Sequence, residues 1–441
     1  MYFTEIINIY DKRLESPVYM KEIKLPLSSE THELIHDINT NSLFISQMSN
    51  SVLVQIKFDD KLLLKNVYKS WKIGNDTSGL HNLSPSFKYP GYIWTSLQFK
   101  NKILLFNAQT KEIKFDIDVP FFNSQDDIVE IIGGPHSINE CKKTGTIWVA
   151  LKGPVGCCPN INNITAKKKN LRKCCNLNEI RYYMESENVK IPNGYAIWKI
   201  DPTKYDKSIS PFFGGIIFRC LPSPPMSAID KYNNCWVSLD CSPTVMKIIN
   251  EKNCQSYHQI PHPEKSDFKI TGPAIITDPN GHIWLSLLGG DGCLVKINVD
   301  NNIKILYEIN IPEWVRHLKI IHFLFDKKDT RIFAIASDLL QEKSVNSIII
   351  LQFDDNWNTV LKQRIIPLPT QDCSCHRIIL IDSDNYDNRS IIVTEMASSK
   401  VFQLKINNIT DFCPVKESQH FDNNFVFKKY TNLPEIEGLR V

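Results

Sequence analysis

Apolar residues alternate with polar ones over runs of four to seven along the chain, and clusters of Asn, Asp, Gly, Ser and Pro separate the runs. A period of two predicts short strands that each bury one face, and no stretch carries a convincing helical period. The runs recur as a unit: a polar corner, an apolar-aromatic pair, a small residue, a turn, and a second alternating strand. The first copy is Ser-Leu-Phe-Ile-Ser around Phe44, followed by Val-Leu-Val-Gln-Ile-Lys-Phe ending at Phe58. Later copies centre on Trp94, Trp148, Trp236, Trp284, Phe333 and Ile392, as in Thr-Ile-Trp-Val-Ala and His-Ile-Trp-Leu-Ser.

The spacings of this aromatic slot are 50, 54, 88, 48, 49 and 59 residues. They match the roughly 40–50 residues of a four-stranded propeller blade, with one long interval that marks an insertion. Another recurring strand ends in Pro, at Pro26, Pro120, Pro222, Pro312 and Pro369. The predicted fold is all-β: a seven-bladed propeller of four-stranded antiparallel blades, one domain over residues 1–441. A bulky side chain in the aromatic slot would fill the wedge between neighbouring blades. Two segments are candidates to close the ring, residues 18–27 and residues 425–434 of a C-terminal tail that spans 407–441.

The insertion covers residues 153–192 of the third copy. It holds Cys157, Cys158, Cys174 and Cys175 and a basic run from Lys167 to Lys173. Four thiolates could hold zinc, but adjacent cysteines lack the two-residue gap of a zinc knuckle, so a solvated thiol loop is the simpler reading. The basic run could meet phosphate or act as a localisation signal, although such runs are usually just solvated.

Composition narrows the partners. With 51 Lys+Arg against 48 Asp+Glu the chain is close to neutral, so no global attraction to nucleic acid or anionic lipid is expected. No apolar run approaches the roughly 18–20 residues of a membrane span, and the N-terminus lacks the pattern of a signal peptide. Thirteen Cys is an odd number, which together with that N-terminus predicts mostly reduced thiols and an intracellular protein. The Asn, Ile and Lys bias is that of an AT-rich genome, such as a protist or one of its large DNA viruses, which would place the protein in a virion or host cytoplasm.

Candidate chemistry lies where each copy's first strand begins, 10 to 16 residues before the aromatic slot. That position reads His32, His81, His136, His322 and His376, with Pro225 and Ala274 in copies four and five. Seven random slots in a chain with 11 His would hold about 0.2 of them, so the excess is large. The five copies are neighbours in a closed ring, so the imidazoles would line one arc of the channel, as general bases or metal ligands. A second slot, three residues after the aromatic one, is apolar except for Gln47 and Glu395, which predicts a cluster of His376, His32, Gln47 and Glu395 with His322 beside it. Cys373 and Cys375 add two soft donors nearby.

Gly-Gly-Pro-His-Ser-Ile before Trp148, Gly-Pro-Ala-Ile-Ile-Thr-Asp-Pro-Asn-Gly-His-Ile-Trp-Leu-Ser around Trp284, and Cys-His-Arg-Ile at His376 with Val-Thr-Glu-Met-Ala-Ser-Ser-Lys-Val after it resemble the blade repeat of streptogramin B (virginiamycin B) lyases, over residues from about 18 to 406. In that family magnesium, glutamates and histidines at the channel mouth open a cyclic depsipeptide by elimination. The resemblance implies His376 as the base, His322 as the histidine of the preceding blade, and Glu395 on magnesium. The family's Trp-Phe-Thr-Glu signature has become Trp-x-Ser/Ala-Leu in most copies, Ala336 stands where copy six would carry a glutamate, and His32 stands where the first blade tends to have Tyr. A binding or structural propeller with a histidine-lined channel mouth, taking a small molecule or a protein there, is therefore expected ahead of a metal-dependent lyase. A lactone hydrolase of the gluconolactonase type would need a ring of Glu, Asn and Asp around calcium, and no such matched set is present.

Overall fold

Seven antiparallel sheets make up the computed structural model, one for each sequence copy. The structure describes residues 20–119, 134–152, 195–205, 215–220, 224–240, 242–263, 271–288, 292–309, 318–340, 345–406, 427–430 and 435–436. The chain opens with β1 (Met20–Lys24), which belongs to the last blade. Blade 1 is β2 (Thr31–Asp37), β3 (Ser42–Gln47), β4 (Val52–Phe58) and β5 (Leu64–Lys72). Blade 2 is β6 (Leu80–Pro85), β7 (Tyr92–Leu97), β8 (Lys102–Asn107) and β9 (Ile113–Asp118), and blade 3 is β10 (Gly134–Glu140), β11 (Ile147–Lys152), β12 (Tyr195–Ile200) and β13 (Gly215–Cys220). Blade 4 is β14 (Ser227–Ile229), β15 (Cys235–Ser238), β16 (Thr244–Ile249) and β17 (Cys254–Gln259). Blade 5 is β18 (Thr271–Thr277), β19 (Ile283–Leu287), β20 (Cys293–Asn298) and β21 (Ile303–Glu308). Blade 6 is β22 (Ile320–Asp326), β23 (Arg331–Ala336), β24 (Ser347–Phe353) and β25 (Val360–Pro367). Blade 7 is β26 (Cys375–Ile381), β27 (Ser390–Glu395) and β28 (Lys400–Lys405), and β29 (Phe427–Tyr430) and β30 (Glu435–Ile436) end the described chain.

The aromatic slot explains how the sheets pack. Trp94 of blade 2 sits in one apolar cluster with Ile138, Val149 and Trp198 of blade 3. Trp148, Trp236 and Trp284 pack in the same way against blades 4, 5 and 6, and Phe44, Phe333 and Ile392 against blades 2, 7 and 1. Each ring therefore fills the gap to the following blade. Burying an aromatic side chain of this size is the largest single apolar gain a residue can make. Three of these indole nitrogens donate to carboxylates at the ends of inner strands, Trp236 to Asp230 at 2.8 Å, Trp284 to Asp278 at 2.9 Å, and Trp94 to Glu140 of the next blade at 2.7 Å, while Trp148 Nε1 has no partner among the described residues.

The ring closes through the N-terminal strand. β1 pairs antiparallel with β28, Met20 opposite Leu404 and Lys24 opposite Lys400. Alternation in this segment places Ile23 and Leu25 in the apolar cluster shared by blades 7 and 1, which is the gain that holds the strand there. The C-terminal segment, the other candidate, does not close the ring. Instead β29 lies against β21 as a fifth strand of blade 5, and β30 lies against β17 of blade 4.

Corners follow the low-glycine composition. Asn41, Asn101, Asn233, Asn253 and Asn302 all adopt positive φ, a conformation that Asn tolerates better than most residues. The insertion, with Cys157, Cys158, Cys174, Cys175 and the run from Lys167 to Lys173, lies outside the described residues. Cys141, Cys220, Cys235, Cys254, Cys293, Cys373 and Cys375 are free thiols. No helix among the described residues is long and apolar enough to cross a membrane.

Candidate functional site

Inner strands of the blades share a defect that builds the channel lining. In β2 the ladder pairs Thr31 with Gln47 and resumes at Leu34 with Ile45, so His32 and Glu33 together face the single residue Ser46. The same one-residue bulge occurs at His81 and Asn82 in β6, at His136 in β10, and at His376 and Arg377 in β26. A bulge interrupts the alternation of side chains. Two consecutive residues can then project toward the axis.

A hydroxyl on the second strand holds the bulge in blades 1, 2, 5 and 7, whereas Ala150 and Ile335 stand at that place in blades 3 and 6. Ser46 Oγ accepts from the Glu33 N–H at 3.1 Å, Ser96 from Asn82 at 3.1 Å, Ser286 from Ala274 at 3.3 Å, and Thr394 from Arg377 at 3.0 Å. Two of these hydroxyls also donate across to the next blade. Ser46 reaches the His81 carbonyl at 2.6 Å, and Thr394 reaches the His32 carbonyl at 2.8 Å. The sequence signal is the hydroxyl two positions after the aromatic slot, present as Ser46, Ser96, Ser238, Ser286 and Thr394 and replaced by Ala150 and Ile335 in copies three and six.

Four histidines form a contact row over blades 7, 1, 2 and 3. The ring centroids of His376 and His32 are 3.7 Å apart, those of His32 and His81 4.0 Å, and those of His81 and His136 4.0 Å. All four are buried. The Nδ1 atoms of His81, His136 and His376 have no hydrogen-bond partner among the described residues, and His32 Nδ1 lies 3.3 Å from Glu33 Oε1. Burial pushes the proton affinities of His81, His136 and His376 well below the ordinary imidazole value, and neighbouring imidazoles add to the effect. His32 is lowered less, because Glu33 opposes the burial. The row is uncharged near neutral pH.

The fifth histidine belongs to a different position. The ladder of β22 pairs His322 directly with Ile335 and leaves Ile321 as the extra residue, so Ile321 occupies the place of His32, and His322 the place of Glu33. In blade 5 the same alignment puts Pro273, not Ala274, in the histidine place. Counting back from the aromatic slot missed by one residue there because the hairpin between the two positions varies in length. His322 is half-buried and faces Arg377 and Glu33, and burial drives it down to about 3.

Residues after the histidines fill the axis. Arg377 Nε bonds Glu33 Oε2 at 2.8 Å, and its terminal nitrogens reach the His376 carbonyl at 3.3 Å and Met226 Sδ of blade 4 at 3.6 Å. Arg377 thus spans the channel. Burial opposes ionisation of Glu33, but the guanidinium overrides it and holds the carboxyl well below the usual range.

Glu395 and Gln47 do not join the histidines. They pair with Cys375 and Thr31, the residues just before the bulge, so their side chains leave the sheet on the face that the histidines do not use. Gln47 donates to the Pro26 carbonyl at 2.7 Å and to Thr31 Oγ1 at 3.3 Å. Glu395 is buried, accepts from Ser398 Oγ at 2.6 Å, and is pushed up to about 7 by burial, with Glu22 adding to the rise. The Cys375 thiol donates to the Ala336 carbonyl of blade 6 at 3.0 Å, and burial pushes both Cys373 and Cys375 far up, away from the thiolate that a metal needs.

One group of donors among the described residues has the spacing of a metal site: His32, Glu33 and His376, with ligand atoms all within 4.8 Å of one another. Magnesium, the ion implied by the lyase resemblance, does not fit these residues. It prefers octahedral oxygen ligands, whereas the channel offers, among the described residues, a single carboxylate beside imidazoles.

No protein-family profile and no curated protein matches the sequence. Solved structures do match. A catalytically inactive histidine-to-alanine virginiamycin B lyase from Staphylococcus aureus, with quinupristin, is 14% identical at a TM-score of 0.58 over 88% of this chain and 99% of that one. The chain shares the virginiamycin B lyase fold. A streptogramin B lyase is 16% identical at a TM-score of 0.56, covering 88% of this chain and 97% of that one. YCF48 bound to D1 peptide is 8% identical at a TM-score of 0.51, covering 89% of this chain and 96% of that one. Neighbours of this fold thus include both lyases and a peptide binder, so the fold does not choose between the two roles.

Proposed function

We propose that the protein is a binding propeller that holds its ligand on the histidine row in the channel and does not carry out elimination. The observation that carries this reading is the contact row of four buried imidazoles on consecutive blades, of which His81, His136 and His376 have unpartnered Nδ1 atoms. A neutral imidazole offers one N–H donor and one lone-pair acceptor, so an unpartnered ring nitrogen is open to a ligand in one role or the other, and convergence of several in a concave site is the usual form of a ligand pocket. The lyase reading needs His376, His322 and Glu395 to act together. Glu395 leaves the sheet on the face opposite the histidines.

One observation keeps the lyase as the second reading: a histidine is essential in the structural neighbour, and His376 stands in the last blade here. Incubation of the full chain with quinupristin, with and without magnesium, separates the two by chromatography, because ring-opening elimination yields a linear isomer of unchanged mass. The binding reading expects intact cyclic peptide. Ring opening that disappears in His376→Ala overturns it. Diethyl pyrocarbonate at neutral pH supplies the second arm: a row open to a ligand is expected to be carbethoxylated at His32, His81, His136 or His376, and a row that stays unmodified cannot bind one.

A further inference from the structure

We propose that His32, Glu33 and His376 form a transition-metal site of the zinc or cobalt type, with the remaining coordination open toward the channel. The proposal rests on the binding reading and names the class of its ligand. Two observations besides proximity point to a metal. His376 Nδ1 is buried and unpartnered, and so is the Nδ1 of His81, the next member of the row. An unsatisfied buried nitrogen costs free energy in the empty state, which a metal ion would recover. The three donors come from adjacent blades 7 and 1, whose inner strands are tied together by the Thr394 bond to the His32 carbonyl, so the ligands sit on a stiff frame.

Donor chemistry sets the metal. Imidazole with a single carboxylate suits zinc, cobalt, nickel or copper, and disfavours magnesium and calcium, which seek oxygen. Zinc-type bonds of about 2.0–2.1 Å place tetrahedral donors roughly 3.4 Å apart, so donors within 4.8 Å of one another need only rotamer adjustment to close on an ion. Glu33 and Arg377 neutralise each other, which leaves a dication facing no net positive charge from that pair. Arg377 Nε lies 2.7 Å from one Glu33 oxygen and 2.8 Å from the other, and a carboxylate has about four lone-pair positions, so Glu33 keeps positions with which to bind a metal as well. The fourth position then faces the channel, as in sites that present a metal to a small ligand.

Tag-free full-length protein, stripped with a chelator and titrated with Co(II), tests the site. One equivalent is expected to bind with the visible d–d absorption of low-coordinate, imidazole-bound cobalt, and Zn(II) is expected to displace it while millimolar magnesium does not. His32→Ala and His376→Ala should each weaken binding by at least about 100-fold, and Glu395→Gln should leave it unchanged. Thermal melts of the apo variants identify any that fail to fold, in which case His376→Asn replaces His376→Ala. Absence of stoichiometric cobalt binding in the wild type overturns the proposal, as does binding undiminished in both histidine variants or lost in Glu395→Gln. The two readings fail separately: quinupristin opening removes the binding role and not the metal, whereas a carbethoxylated row without cobalt binding removes the metal and not the binding role.

Discussion

Arg377 and Glu33 form a charge pair that sits where seven inner strands converge, and both side chains are nearly without solvent. Taking two such charges out of water is costly, and the attraction between them offsets the cost only while both are present. Replacing Arg377 by Met strands a buried carboxylate, and the expected loss is about 3–5 kcal/mol. The double variant Glu33→Gln with Arg377→Met removes the stranded charge and should recover most of it. Urea denaturation at pH 7 reads both values; a double variant no more stable than Arg377→Met would show that the pair's worth lies in packing against Met226 and not in charge. Neither residue stood out in the sequence, because each copy carries a different side chain at this position: Glu33, Asn82, Ser137, Met226, Ala274, His322 and Arg377. A position that is filled differently in every copy leaves no repeat signal, even though Glu33, Met226, His322 and Arg377 meet from four blades.

In blades 1, 2, 5 and 7 a hydroxyl on the second strand supports the bulge of the inner strand. Ser46 is fully buried and serves two backbone groups in two blades, the Glu33 N–H and the His81 carbonyl. Ser46→Ala leaves both unpaired with no room for compensation, which predicts a loss of about 1–3 kcal/mol per stranded group. It should also broaden or shift the histidine resonances of His32 and His81, because the bulge sets their aim. A neutral Ser46→Ala in thermal melts, with unchanged histidine resonances, would place the support of the bulge elsewhere. The elements themselves were legible from sequence. Strand alternation and the recurring aromatic slot fix seven copies because one bulky ring must fill each wedge, and the structure places each of those rings against the following blade. Register around the bulge was not legible. Alternation is the only clue to which face a residue takes, and a bulge breaks alternation, so the pattern alone points Glu395 and Gln47 to the channel and His322 to the row, where the ladder does not put them. In each case the pairing partner across the strand decides the face, and the sequence does not state the partner.

At the scale of the ring, stability depends on one seam. β1 is the only strand of its blade from the far end of the chain, and its Glu22 bonds Lys400 of β28 at 3.0 Å and Thr370 of the preceding loop at 2.7 Å. On the other flank Arg389 of blade 7 is buried against Asp326, with Asp329 at 2.7 Å and Asp382 at 2.9 Å, which ties blade 6 to blade 7. Glu395 lies beside Glu22 at this seam, and its carboxyl is raised to about 7, first by burial and then by the second carboxyl. A carboxyl whose folded value lies above its unfolded value gives stability that is present below about pH 4.5 and is lost as pH rises through about 7. Above that point the seam holds two ionised carboxylates with Lys400 as the nearby cation, so closure of the ring weakens with alkali. Glu395→Gln keeps the size and the bond from Ser398 but cannot ionise. It is therefore expected to melt several degrees above wild type at pH 8 and within error of it at pH 5, with the difference opening between those values. Scanning calorimetry at both pH values measures this directly. An equal shift at pH 5 and pH 8 would mean that the substitution acts through packing, and that the proton at Glu395 has no part in holding the first strand to the last blade.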